Sequence, residues 1–118
     1  MHGDSQGREL AINRSLFRCE LCGGRLDNWY GVSVHHRRPR GMGGSKDPKT
    51  NSASNLIVLC GSGTSGCHGK VEKNRADSKR DGLLIASWGD PASAPILLNG
   101  TWWMLTDDGQ KIPAPEPQ

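Results

Sequence analysis

Apolar positions come in short bursts along this chain, separated by glycine, proline and polar residues. Val32-Ser33-Val34-His35 alternates apolar and polar residues, the period-2 pattern of a half-buried strand. Leu56-Ile57-Val58-Leu59 is continuous, the most apolar run in the sequence, and predicts a second short strand. Between them, Arg37 to Asn51 holds Pro39, Gly41, Gly43, Gly44 and Pro48 and predicts a long loop. A loop of that length in a small domain is usually functional or disordered. Beyond the turn from Gly61 to Gly66, His68 to about Ser78 carries helix formers and charges and predicts a helix. After Asp81-Gly82, the runs Leu83 to Trp88, Ile96 to Leu98 and Thr101 to Leu105 predict short strands, with Asn99-Gly100 and Asp108-Gly109 as turns. Ser5 to Phe17 predicts a short helix, capped by Asp4 or Ser5, or an irregular arm, because Gly7 weakens the helix.

These elements predict a small α+β protein. Residues 1–18 form the N-terminal arm or helix, 19–80 the main domain and 81–111 a small β appendage. Residues 112–118, with three prolines, form a disordered tail. The chain has 118 residues, room for one domain, and no internal repeat. It is 34% hydrophobic with 16 Gly and 7 Pro, so its core is thin and calls for a covalent or metal staple.

The polar N-terminus lacks a signal-peptide pattern, and no stretch approaches the roughly 18 apolar residues of a membrane span, so a reducing cytoplasm is expected. In that compartment four cysteines in two pairs read as metal ligands before disulfides. Cys19-x2-Cys22, followed by Gly23-Gly24, has the form of a zinc knuckle. Cys60-x6-Cys67 has a longer spacing, bridged by small residues that can fold back. Zinc held by four thiolates would join segments about 40 residues apart and would serve folding, because no open position is left for substrate. A redox CxxC lacks the surrounding βαβ pattern; four unligated structural thiols are the plainer alternative.

Charge is uneven. Residues 1–80 hold 14 Lys/Arg against 7 Asp/Glu, and residues 81–118 hold 1 against 5. A basic body is compatible with a polyanionic partner and equally with an ordinary solvated surface.

His35 and His36 end the first strand, and His68 directly follows Cys67. Adjacent strand residues point to opposite sides, so His35 and His36 cannot serve one ligand set. One can bind a metal while its neighbour acts as a base toward water. A zinc bond at Cys67 would bring His68 near the strand end. Asn55 opens the second strand, where its amide could bridge the loop backbone and fix the hairpin.

Cys19-Glu20-Leu21-Cys22, Val34-His35-His36-Arg37-Arg38-Pro39, Asn55-Leu56-Ile57-Val58-Leu59-Cys60 and Gly66-Cys67-His68-Gly69, taken in order, resemble the zinc-bearing HNH endonucleases, in particular the compact bacteriophage versions. The resemblance spans roughly residues 19–75. It implies that residues 19–80 are an HNH nuclease domain with the ββα-metal fold and a structural Zn²⁺ on Cys19, Cys22, Cys60 and Cys67. It also implies that His35 and His68 bind the catalytic divalent ion, that His36 is the general base and that Asn55 orders the hairpin. The interval from Asn55 to His68 is longer than the family's usual one, the excess lying in the Cys60–Cys67 loop. A third ligand often stands one helical turn after the histidine at His68. That position is Glu72, either an oxygen ligand or a solvated helix glutamate.

On this reading neutral His36 takes a proton from water, a role suited to imidazole near neutral pH. The water attacks phosphorus in line while the metal neutralises charge on the phosphorane and the leaving 3′ oxygen. The ion could be Mg²⁺, Mn²⁺, Ni²⁺ or Zn²⁺. Arg37, Arg38, Arg40 and Lys46 are candidate DNA-backbone contacts, with Lys49 in the same loop and Lys70, Lys73 and Arg75 as weaker candidates. Trp88, Trp102 and Trp103 read as core of the β appendage before base-stacking residues. The expected substrate is DNA, cut with little sequence preference in the cytoplasm of a bacterial host. The phage-type resemblance further implies a place in genome packaging beside the terminase. Two other readings are a non-catalytic zinc-binding nucleic-acid or adaptor module, and a domain of a modification-dependent restriction system. The first leaves His35, His36 and Asn55 unexplained; the second needs a recognition domain for which residues 82–118 are short.

Overall fold

A computed structural model describes residues 3–26, 32–39 and 48–117. Among them run α1 (Gly3–Ser15), β1 (Val32–His36), β2 (Leu56–Cys60), α2 (Gly66–Lys73), α3 (Arg75–Arg80), β3 (Ile96–Leu98), β4 (Thr101–Leu105) and β5 (Lys111–Pro113). Short 3₁₀ turns cover Pro48–Asn51, Ala53–Asn55 and Pro91–Ser93. The class is α+β, with two antiparallel sheets: β1 with β2, and β3-β4-β5. No helix among the described residues is long and apolar enough to cross a membrane.

β2 is the centre of the structure. Leu56 to Leu59 are all buried because both faces of the strand are covered. Leu56 and Val58 pack with Ala11 of α1 on one face. Ile57 and Leu59 face the other way and join Cys19, Cys67, Val71, Leu83, Leu84, Ile96, Leu98 and Leu105. Two-sided burial removes the need for a polar face, which is why this strand reads as an unbroken apolar run while β1 alternates. Each of these side chains, fully buried, contributes about 1.5–3 kcal/mol of transfer free energy.

The expected N-terminal arm is therefore a helix seated on β2. Gly7, which weakens the helix in sequence, is what permits the seat: a Cβ there would stand 1.9 Å from the carbonyl oxygen of Asn51. Arg14 secures the far end. Its guanidinium pairs with Glu20 at 2.7 Å, both side chains buried, and also donates to the carbonyls of Ala53 and Leu56. Glu20 in turn accepts from Val58 N–H, so one ion pair joins α1, the Cys19–Cys22 turn and β2. The buried charges are compensated on both sides, the condition under which such a pair is tolerated.

The C-terminal region departs from its expected form as an appendage. Leu83, Leu84, Ile96, Leu98 and Leu105 lie in the same cluster as Ile57 and the cysteines, so residues 81–111 complete the common core. Leu83 to Trp88 is not a strand, and its backbone meets His35 of β1 and the Arg37 carbonyl, as described below. Part of the expected tail, Ile112 to Ala114, joins the sheet. β5 pairs with β4, with Ile112 opposite Met104, and Ala114 N–H donates to Trp102 O. The β3–β4 turn uses Asn99 and Gly100, both at positive φ (49° and 83°), the geometry that favours this dipeptide. Trp103 packs against the core and carries Lys111 over its ring at 4.5 Å. Trp88 is 87% exposed, so it is no part of a core. The helix expected from His68 to Ser78 is split into α2 and α3 at Asn74, whose φ/ψ of −113°/61° lies outside the helical region.

Candidate functional site

β1 and β2 pair with Val34 opposite Val58, His35 opposite Ile57 and His36 opposite Leu56. Pairing with Ile57 turns His35 toward α2 and the larger core; pairing with Leu56 turns His36 toward α1. α2 starts at Gly66, at the end of the fold-back Cys60–Cys67 segment, so His68 faces β1 from the helix's first turn. Glu72, four residues on, lies on the same helix face.

The result is an open cleft of about 380 Å³ lined by His35, His36, His68, Glu72, Arg75 and Leu84, among others. Within it His35, His68 and Glu72 each offer a ligand atom, and these atoms lie within 4.8 Å of one another. The two rings meet edge-on with centroids 5.2 Å apart. His35 Nε2 is 2.8 Å from Leu83 O; a carbonyl can only accept, so Nε2 carries the proton. That leaves Nδ1, 3.7 Å from Glu72 Oε2, with its lone pair. His68 Nδ1 is 2.7 Å from Ser33 Oγ, leaving Nε2 as its uncommitted nitrogen. Burial pushes the pKa of both imidazoles down, against opposing pulls from the Leu83 carbonyl on His35 and from Glu72 on both, which favours the neutral form a metal needs. Two neutral nitrogens, one carboxylate and a hydrogen-bonded partner behind each ring form a donor set suited to a divalent ion. Glu72 also meets Arg75 at 3.4 Å on its solvent side.

His36 stands outside that set. Its Nε2 is 2.9 Å from Asn51 Oδ1, and its ring borders the same cleft. Asn55 is fully buried and ties the ends of the long loop together. Its Oδ1 accepts from Arg38 N–H at 2.8 Å, and its Nδ2 donates to Thr50 O at 2.8 Å and Arg38 O at 3.3 Å.

Cys19, Cys22, Cys60 and Cys67 bring four free sulfurs within 4.8 Å of one another, close enough to hold a metal ion. Four thiolates around one tetrahedral ion, with bonds of about 2.3 Å, lie about 3.8 Å apart. Gly24 N–H points at Cys22 Sγ and Cys67 N–H at Cys60 Sγ, both at 3.4 Å. The first of these contacts holds the Cys22 thiol below its ordinary pKa. Burial raises Cys19 and Cys67, and at Cys67 the neighbouring Cys19 adds to it, a repulsion among thiolates that a divalent cation would offset.

The expected phosphate contacts need correction. Arg37 has no exposed surface, and its guanidinium donates to the carbonyls of Ser54, Gly82, Pro91 and Ala94 at 2.8–3.0 Å. Burial, with a smaller repulsion from Arg14, brings its pKa down to about 9. Arg38 is 6% exposed and donates to Gly89 O. Neither side chain is presented to a polyanion. Arg40 and Lys46 lie outside the described residues. Among the described residues, Arg75 at the cleft and Lys70 and Lys73 on α2 are exposed cations of this region.

Sequence reasoning missed Asn51, Ser33 and the Leu83 carbonyl as partners of the three histidines. Ser33 was within reach, since it shares the inward face of β1 with His35; a backbone carbonyl 48 residues away was not. Comparison of the chain with protein-family models, with curated proteins and with solved structures found no match in any of the three.

Proposed function

We propose that this chain is a metal-dependent endonuclease of the HNH class, with β1, β2 and α2 as its ββα-metal core and a structural zinc on the four cysteines. The observation that carries the reading is the division among the histidines: His35, His68 and Glu72 converge on one point, while His36 borders the same cleft from outside that group. A core held only for stability has no need of two imidazoles, each fixed by a partner behind it, beside a third with a separate partner.

The chain's residues divide the work as follows. His35, His68 and Glu72 would hold a divalent ion such as Mg²⁺, Mn²⁺, Ni²⁺ or Zn²⁺. When bound, that ion supplies charge neutralisation for the phosphate and the leaving 3′ oxygen. Ser33 and the Leu83 carbonyl keep the ligand imidazoles oriented. His36 takes the proton from the attacking water. Asn55 ties Arg38 to Thr50 at the two ends of the long loop, so that His36 keeps its place. Arg75, with Lys70 and Lys73, takes over the phosphate contacts that buried Arg37 and Arg38 cannot make. Contacts of that kind carry no base information, which fits DNA cleavage with low sequence preference. A place beside a phage terminase rests on the family resemblance alone.

Supercoiled plasmid incubated with the protein in Mg²⁺, Mn²⁺ or Ni²⁺ should be nicked or linearised, and left intact in EDTA. A protein inert in every metal that still retards DNA on a gel would instead be a zinc-binding adaptor.

A further inference from the structure

We infer that Asn51 is a positioning residue that fixes the ring orientation and tautomer of His36, so that Nδ1 is the nitrogen facing the attacking water. The inference rests on the nuclease reading for its consequence, but its geometry stands apart from it. A neutral imidazole has one N–H and one lone pair, and whichever nitrogen meets a fixed acceptor keeps the proton. Asn51 Oδ1 lies 2.9 Å from His36 Nε2. An amide oxygen there holds the proton on Nε2 and leaves the lone pair on Nδ1, which has no hydrogen-bond partner among the described residues.

Asn51 is itself held on several sides. It closes the 3₁₀ turn Pro48–Asn51. The preceding carbonyl, Thr50 O, accepts from Asn55 Nδ2 at 2.8 Å, and Ser52 O accepts from Asn55 N–H at 2.9 Å. Its own carbonyl lies against Gly7 of α1, at a separation that no larger residue allows. The two asparagines therefore act in series: Asn55 sets the backbone on either side of Asn51, and Asn51 sets His36. In the reaction the water proton passes to Nδ1 and the water oxygen bonds phosphorus. The P–O3′ bond breaks, the leaving oxygen takes a proton from solvent, and Nε2–H stays on Asn51 throughout.

The test combines ring ¹⁵N spectroscopy with kinetics on the zinc-loaded full chain, above the imidazole titration range. Wild-type His36 should show the Nε2–H tautomer. Asn51→Leu, checked for zinc content and a native circular dichroism spectrum, should show mixed tautomers and a kcat about 10–100-fold lower with little change in KM. Asn51→Asp keeps an acceptor oxygen, so it should keep the tautomer and recover most of kcat, and it serves if the leucine variant misfolds. A wild-type Nδ1–H tautomer would overturn the inference, as would a leucine variant with unchanged tautomer and kcat. If the wild type cuts no DNA yet the leucine variant redistributes the tautomers, the positioning stands and the nuclease reading alone fails.

Discussion

Arg37 carries its charge with no exposed surface. It follows two histidines and precedes Arg38 and Pro39, so it has the look of a solvated basic loop. The strand alternation that turns His35 inward also carries Arg37 inward, two residues on, and there its fork collects four carbonyls from residues 54 to 94. Removing a buried charge can be neutral when its partners leave with it, but these partners are backbone and stay. Arg37→Met should therefore cost about 3–5 kcal/mol, read as a lower denaturation midpoint with an unchanged m-value. A surface phosphate clamp would behave in the opposite way, losing DNA affinity with no change in stability.

At the level of elements, most of the secondary structure was legible because local chemistry and burial agree. The alternation in β1, the apolar run of β2, the Asn99-Gly100 hairpin and the paired cysteines each have a cause within a few residues. What was not legible depends on distant partners. Leu83 to Trp88 has strand-like composition, yet its backbone is taken up by other groups: Leu83 O receives His35 and Ile85 N–H donates to Arg37 O, just after Gly82 O receives the Arg37 side chain. Gly7 argues against a helix locally, and its reason for being there is the Asn51 carbonyl. The cysteine quartet joins the Cys19–Cys22 turn to the end of β2 and the start of α2, so its occupancy should govern all three. Stripping zinc with a strong chelator, or Cys60→Ser, should lower Tm by more than about 15 °C or abolish the cooperative transition. Unaltered melting after verified metal loss would show that the thiols stabilise the fold without an ion.

Across the whole molecule, one core serves both sheets, and the cleft sits where its parts meet. β1 supplies His35 and His36, α2 supplies His68 and Glu72, and the segment after α3 supplies the carbonyl behind His35. The C-terminal sheet is thus part of what holds the site in shape. The two cysteine pairs could be grouped from the sequence by residue type and spacing, whereas the choice of His35 and His68 as ligands came from the family resemblance. Glu72, which the sequence leaves between ligand and surface residue, lies 3.7 Å from His35 Nδ1. In the proposed mechanism His36 does chemistry while its neighbour His35 holds an ion, and His36→Ala separates the two roles. Mn²⁺ binding followed by electron paramagnetic resonance, alongside plasmid cleavage by the same zinc-loaded protein, is the most direct measurement. Mn²⁺ affinity should stay close to wild type while cleavage slows by about 10²–10⁴-fold. Cleavage at the wild-type rate by His36→Ala, or loss of Mn²⁺ binding together with cleavage, would contradict that mechanism.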